Sequence, residues 1–183
     1  MAGDTSATPW LFRGGDDDEV KLSLRVKLTR LSNTHHRFEY VRGDGTGEAA
    51  ELETRSLLYH DLLHFAVETE AGLTRSFYGL LARSVTFAQL RADPNGAINQ
   101  ELAMTERAVG ILTGLLRSEE PAAELVPRVA SYLHDCGLEA PEWISPQLVT
   151  QVAERMRRLL GEWNALRFGQ TMELRFEIGA APR

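Results

Sequence analysis

The stretch Val20-Lys21-Leu22-Ser23-Leu24-Arg25-Val26-Lys27-Leu28 decides the fold class. Its apolar residues fall at every second position, with Lys21, Ser23, Arg25 and Lys27 between them. Period two with one charged face predicts a half-buried strand of an antiparallel sheet over 20–28. Residues 37–42 repeat the pattern, with Phe38 and Tyr40 set against Arg37, Glu39 and Arg42. Gly43-Asp44-Gly45-Thr46-Gly47 then reads as a turn, and a weaker third strand follows over about 48–53. Far downstream, Met172, Leu174, Phe176 and Ile178 alternate with Glu173, Arg175 and Glu177. This predicts a last strand, supplied to the same sheet by the C-terminus.

A helical block separates these strands. The first helix is expected to start at Thr54 or Ser56, either of which can cap it, and to end near Gly72. A short helix covers about 76–83, another turn follows Thr86, and Asp93-Pro94-Asn95-Gly96 breaks the chain. The next helix spans about 98–116, with Leu102, Val109 and Leu112 facing the core. One more opens at Ser118 to Pro121 and stops at Gly137. Ser145 followed by Pro146 is a cap with proline at the first helical position. The helix after it carries Leu148, Val152, Met156, Leu159, Trp163 and Leu166, spaced three and four apart as an amphipathic helix requires. The expected fold is therefore α+β: an antiparallel sheet of about four strands, three N-terminal and one C-terminal, packed against about five helices.

Composition limits the function classes. At 183 residues the chain suits a single domain over 20–180, preceded by an acidic arm over 1–19. That arm ends in Gly14-Gly15-Asp16-Asp17-Asp18-Glu19 and holds Trp10 and Phe12, apolar enough to engage a partner or the domain itself. Lys plus Arg number 20 against 26 Asp plus Glu, a net charge of −6. An acidic chain without a basic block speaks against binding nucleic acid through its phosphates. No window reaches the length of an apolar membrane span. A start without a signal sequence, and one cysteine, Cys136, point to a reducing, cytoplasmic setting.

One constellation carries chemistry. In Tyr59-His60-Asp61-Leu62-Leu63-His64-Phe65-Ala66-Val67-Glu68 the residues His60, His64 and Glu68 recur every four positions. On a helix such residues share one face, about 6 Å apart along the axis. Two imidazoles at i and i+4 converge on a single ion, the principle behind the HExxH clamp. The helix is otherwise apolar nearly all round, so two histidines and two acids within it must satisfy one another or share a cation. Neutral imidazole with carboxylate and water suits zinc first, and iron or manganese next. Asp61 is placed to orient a ligand or act as general base. The remaining ligands are Glu68, reaching back along the helix, and Glu106, an acid on the inward stripe of its own helix between Leu102 and Val109. Glu106 pairing with Arg107 or Arg75 is the ordinary alternative. His35 and His36, beside the polar run Ser32-Asn33-Thr34, are expected at an exposed turn. His134 is expected as a helix-end dipole contact, Cys136 as a small buried residue, and Arg155, Arg157 and Arg158 as a solvated face. Gly43, Gly45 and Gly47 serve a turn and no phosphate, since no helix follows them.

His60-Asp61-x-x-His64 resembles the HDxxH zinc motif of the ubiquinone-biosynthesis proteins that act with the ring-modifying complex. The resemblance covers five residues and implies a metal role for His60 and His64 and a supporting role for Asp61. That family places a glutamate twelve residues after the second histidine, where this chain has Ser76. The stretch His60 to Gly79 also resembles a group of uncharacterised bacterial proteins, which lends no activity.

These observations frame a metal-dependent hydrolase or lyase acting on a small molecule of unknown identity. The alternative is a non-catalytic interaction or assembly module without metal, for example a homodimer formed through an edge strand. A third reading is a small-ligand carrier whose pocket is walled by Tyr59, Phe65, Phe77 and Tyr78.

Overall fold

A computed structural model describes residues 22–92, 99–116 and 121–178. The arm over 1–19, Val20 and Lys21, the break at Asp93–Gly96 and Ser118 lie outside the described residues. Four antiparallel strands form one sheet: β1 (Leu22–Arg30), β2 (His35–Arg42), β3 (Gly47–Glu53) and β4 (Thr171–Ile178), in the order β3-β2-β1-β4. The C-terminal strand lies beside β1, pairing Leu22 with Ile178 and Thr29 with Thr171. The register puts the apolar sets of neighbouring strands on one face: Leu24, Val26 and Leu28 beside Phe38 and Tyr40, and beside Met172, Leu174 and Phe176, all buried. The opposite face is charged, with Lys27 and Glu39 3.3 Å apart across β1 and β2.

Among the described residues six helices pack on the apolar face and on one another where about five are expected, since the turn after Thr86 is a short helix of its own. They are α1 (Tyr59–Ala71), α2 (Phe77–Ala82), α3 (Phe87–Arg91), α4 (Gln100–Leu115), α5 (Ala122–Asp135) and α6 (Pro146–Ala165). α1 is the central one. It packs against α4 and α6 and reaches β4, and its residues 61–68 are all buried. Phe65 meets Tyr78 of α2 and Phe176 of β4, with ring centroids 5.4 and 6.3 Å away. Ser145 caps α6 by accepting from the Leu148 N–H, and Gly72 closes α1 at a φ of 65°, as their residue types require.

The entry to α1 departs from the expected start. Neither Thr54 nor Ser56 caps it; the Glu53 carboxylate does, accepting from the Ser56 N–H at 2.8 Å. The first turn, Thr54–Leu58, is π-helical. Such a turn accommodates one extra residue and recurs beside functional sites.

Two further expectations are corrected. Cys136 is exposed: it follows Leu133 by three residues, in phase with the inward stripe of Leu125, Val129 and Leu133, but α5 ends at Asp135 and Cys136 is its C-cap, beyond the packed turns. His35 is exposed, but His36 is fully buried: it lies in β2, in phase with Phe38 and Tyr40. Its Nδ1 is 3.2 Å from the Thr54 hydroxyl, and its ring stands edge-on to Trp163. Burial lowers its pKa from 6.5 to about 4, against a smaller opposing pull from Glu53. The unfolded chain therefore takes up a proton that the folded one refuses. The stability held by a neutral His36 is whole above about pH 6.5 and drains away as pH falls toward 4. Urea unfolding at pH 7.5 and 4.5 is expected to show about 2–3 kcal/mol more acid loss in the wild type than in His36→Leu. Equal losses in both would show that His36 does not titrate in this way.

Candidate metal centre

Packing of α1 on α4 assembles the site. His60 and His64 lie one turn apart on α1, their ring centroids 4.6 Å apart. Glu106 of α4 faces both: its Oε2 is 3.6 Å from His60 Nε2 and 3.3 Å from His64 Nε2. These are the donor atoms of a three-residue group able to hold a metal ion. Bonds of about 2.0–2.2 Å around a tetrahedral ion set neighbouring donors roughly 3.3–3.6 Å apart, which is the spacing of Glu106 Oε2 from each histidine, and all three donor atoms lie within 4.8 Å of one another. His64 Nε2 is buried without a hydrogen-bond partner. The Glu106 oxygen lies close to it but off the line of an N–H bond, so the two atoms form an ion pair and not an aligned hydrogen bond. His60 and Glu106 are each about one-third exposed, which gives the site an approach from solvent.

Glu68 occupies a different place from the one expected of a ligand. Its Oε1 meets His64 Nδ1 at 3.1 Å, on the far side of the ring, and its Oε2 accepts from the Tyr78 and Gly79 N–H groups at 2.8 and 3.4 Å. Both oxygens are therefore committed, and Glu68 is outside the converging group. When the ring is neutral, an Nδ1–H donated to Glu68 leaves the Nε2 lone pair for the side where His60 and Glu106 stand. A carboxylate behind a ligating histidine fixes its tautomer and orientation. Gly79 lets the Thr74 backbone pass close to the start of α2, since a Cβ there would lie 2.3 Å from the Thr74 carbonyl oxygen.

The charges follow from the geometry. Burial alone would lower the His64 pKa, but Glu106 and Glu68 outweigh it and raise it to about 9. Burial would raise Glu106, yet its two histidines hold it far below the usual carboxylate range. Glu68 is raised, burial prevailing over His64 and the two backbone donors. Asp61 is buried with Oδ2 unpartnered, and desolvation raises its pKa to about 7 against the pull of His60 and His64. Its carboxyl feels the charges of the site without belonging to the converging group.

Other candidates fall away. Arg107 donates to the Ala103 carbonyl, and the ion pairs of Glu106 among the described residues are with His60 and His64, in place of the alternative pairing with Arg107 or Arg75. His134 is exposed. Arg155 is not purely solvated: it contacts Glu70 at 2.5 Å, tying α6 to α1. Phe65 and Tyr78 are core residues, and only Tyr59 of the four expected pocket walls lines the cavity of about 520 Å³ between α1, α5 and α6. The backbone donors of Tyr78 and Gly79 escape a reading of side-chain types, as does the π-helical entry. The chain has no helix among its described residues long and apolar enough to cross a membrane. Comparison of the chain with protein-family models, with curated proteins and with solved structures finds no match.

Proposed function

We propose that this chain binds one divalent metal ion through His60, His64 and Glu106 and uses it in a hydrolase or lyase reaction. The observation that carries the reading is the convergence of the three donor atoms, within 4.8 Å of one another, with the buried His64 Nε2 making no aligned hydrogen bond and facing the Glu106 oxygen of the same group. Two imidazoles and one carboxylate suit zinc first, with iron or manganese as the other ions such a set accepts. Bound there, the ion would polarise a substrate oxygen or lower the pKa of a water. His64 is steadied by Glu68 and holds its lone pair toward the ion. Asp61, with an unpartnered oxygen beside the site, is the residue we assign as general base. In the competing reading the same atoms form only a histidine–carboxylate network inside a binding module, with His64 charged between Glu68 and Glu106.

Elemental analysis separates the two. Protein purified without a histidine tag, from cells supplied with zinc, iron and manganese, is expected to hold about one metal per chain. His60→Ala and His64→Ala are expected to lose it. Metal-free wild type after that supply rejects the proposal.

A further inference from the structure

Among the described residues nothing pairs with the outer edge of β4. It is eight residues long, without proline, and every residue from Thr171 to Ile178 pairs with β1 on the other side. An edge of this kind is a template for another strand unless charge or shape blunts it. The outward residues of β4 are Thr171, Glu173, Arg175 and Glu177, which carry both signs of charge. Arg175 stands opposite Arg25 in the register of the sheet, so its cross-strand neighbour is a like charge. Among the described residues its counter-ion is Glu173 of its own strand, at 3.8 Å, an acid shared with Arg25 at 4.0 Å, and the Arg175 side chain is 78% exposed.

We propose that two copies of this chain join β4 to β4 about a two-fold axis at Leu174, making one continuous eight-stranded sheet. Antiparallel pairing centred there sets Glu173 of each copy opposite Arg175 of the other. It sets Thr171 opposite Glu177 on the charged face, and Met172 opposite Phe176 on the apolar face. Neighbouring registers are worse. Centring on Glu173 opposes Glu173 to itself, and centring on Arg175 opposes arginine to arginine and Glu173 to Glu177. Centring on Phe176 keeps an Arg175–Glu177 pair but aligns fewer residues of the strand. Charge thus selects one register, as cross-strand pairs do within a sheet. The other edge argues by contrast. β3 carries Glu48, Glu51 and Glu53 with no cation, so a second β3 would be repelled. Glu48 is moreover tied to the Phe87 N–H at the start of α3. One edge repels a copy of itself and the other complements it. A single strand edge is a small interface, so the dimer is weak and sensitive to salt.

Sedimentation of the full chain over a wide concentration range tests this. The wild type is expected to shift from monomer to dimer, less so at high salt. Arg175→Glu places four acids together across the axis while relieving the Arg25 contact within each copy, so the monomer keeps its fold. It is expected to weaken dimerisation about tenfold or more. Adding Glu173→Arg to that variant exchanges the two signs and restores the pairing across the axis. A wild type that stays monomeric at every concentration overturns the proposal. So does a dimer that Arg175→Glu leaves intact, or a double variant that fails to regain affinity while remaining folded by circular dichroism.

Discussion

Zinc added to metal-stripped protein is expected to raise its unfolding temperature by about 5–11 °C once free metal reaches about a hundredfold excess over the dissociation constant. That excess stabilises the folded state by about 2.7 kcal/mol, and each kcal/mol moves the midpoint of a chain this size by about 2–4 °C. His64→Ala should abolish the rise, because the buried Nε2 is the donor fixed from behind by Glu68. Glu106→Gln should cut it strongly, since an amide oxygen replaces a charged one. The rise should shrink on acidification, since the ion must displace the proton that Glu106 and Glu68 hold on His64. Differential scanning fluorimetry at pH 6.5 and 8.5 reads both effects. A wild-type midpoint indifferent to zinc, iron and manganese would remove the metal from the account.

Replacing Glu68 with alanine is expected to cost about 3–5 kcal/mol, the penalty for removing one partner of a buried charged pair. The fully buried carboxylate satisfies three donors at once: His64 Nδ1 and the N–H groups of Tyr78 and Gly79. Without it, the first turn of α2 loses its acceptor, and His64 keeps Glu106 alone. Glu68→Gln retains an oxygen for the backbone donors and is expected to fold. It should weaken metal binding by about 10–100-fold, the usual effect of changing the group behind a ligating histidine. Chemical denaturation and metal titration of the two variants would expose a peripheral Glu68: both effects would then fall within about 0.5 kcal/mol of the wild type.

The sheet was legible because period two survives in β1, β2 and β4; it fades in β3, where Glu48 shares the inward phase of Ala50 and Leu52. β4 could be assigned beside the N-terminal strands for the same reason. The histidine pair and Glu106 were legible because charge on an apolar helical stripe demands a partner. The role of Glu68 was not. Four-residue spacing says that its carboxylate reaches His64, but not which ring nitrogen it takes, and the competing claim of two backbone N–H groups belongs to the tertiary packing of α2. The polar run before His36 suggests a turn and hides its place in the strand. Counting back by twos from Tyr40 and Phe38 leads to position 36, so the alternation held the better signal. Glu53 was overlooked as a cap because serine and threonine stood next to it.

The wider winding at Thr54–Leu58 decouples two phases that would otherwise be locked together. β3 must end with Leu52 under the helices, and seven residues after the strand's last residue, Glu53, the chain must aim His60 at α4. A regular helix turns each successive residue by about 100°, so removing one residue from this segment would swing the whole entry by that angle. Such a shortened chain would have to give up either its strand register or the direction of its imidazoles. The extra residue acts as a phase adjuster, letting the sheet and the histidine-bearing helix each keep its own alignment.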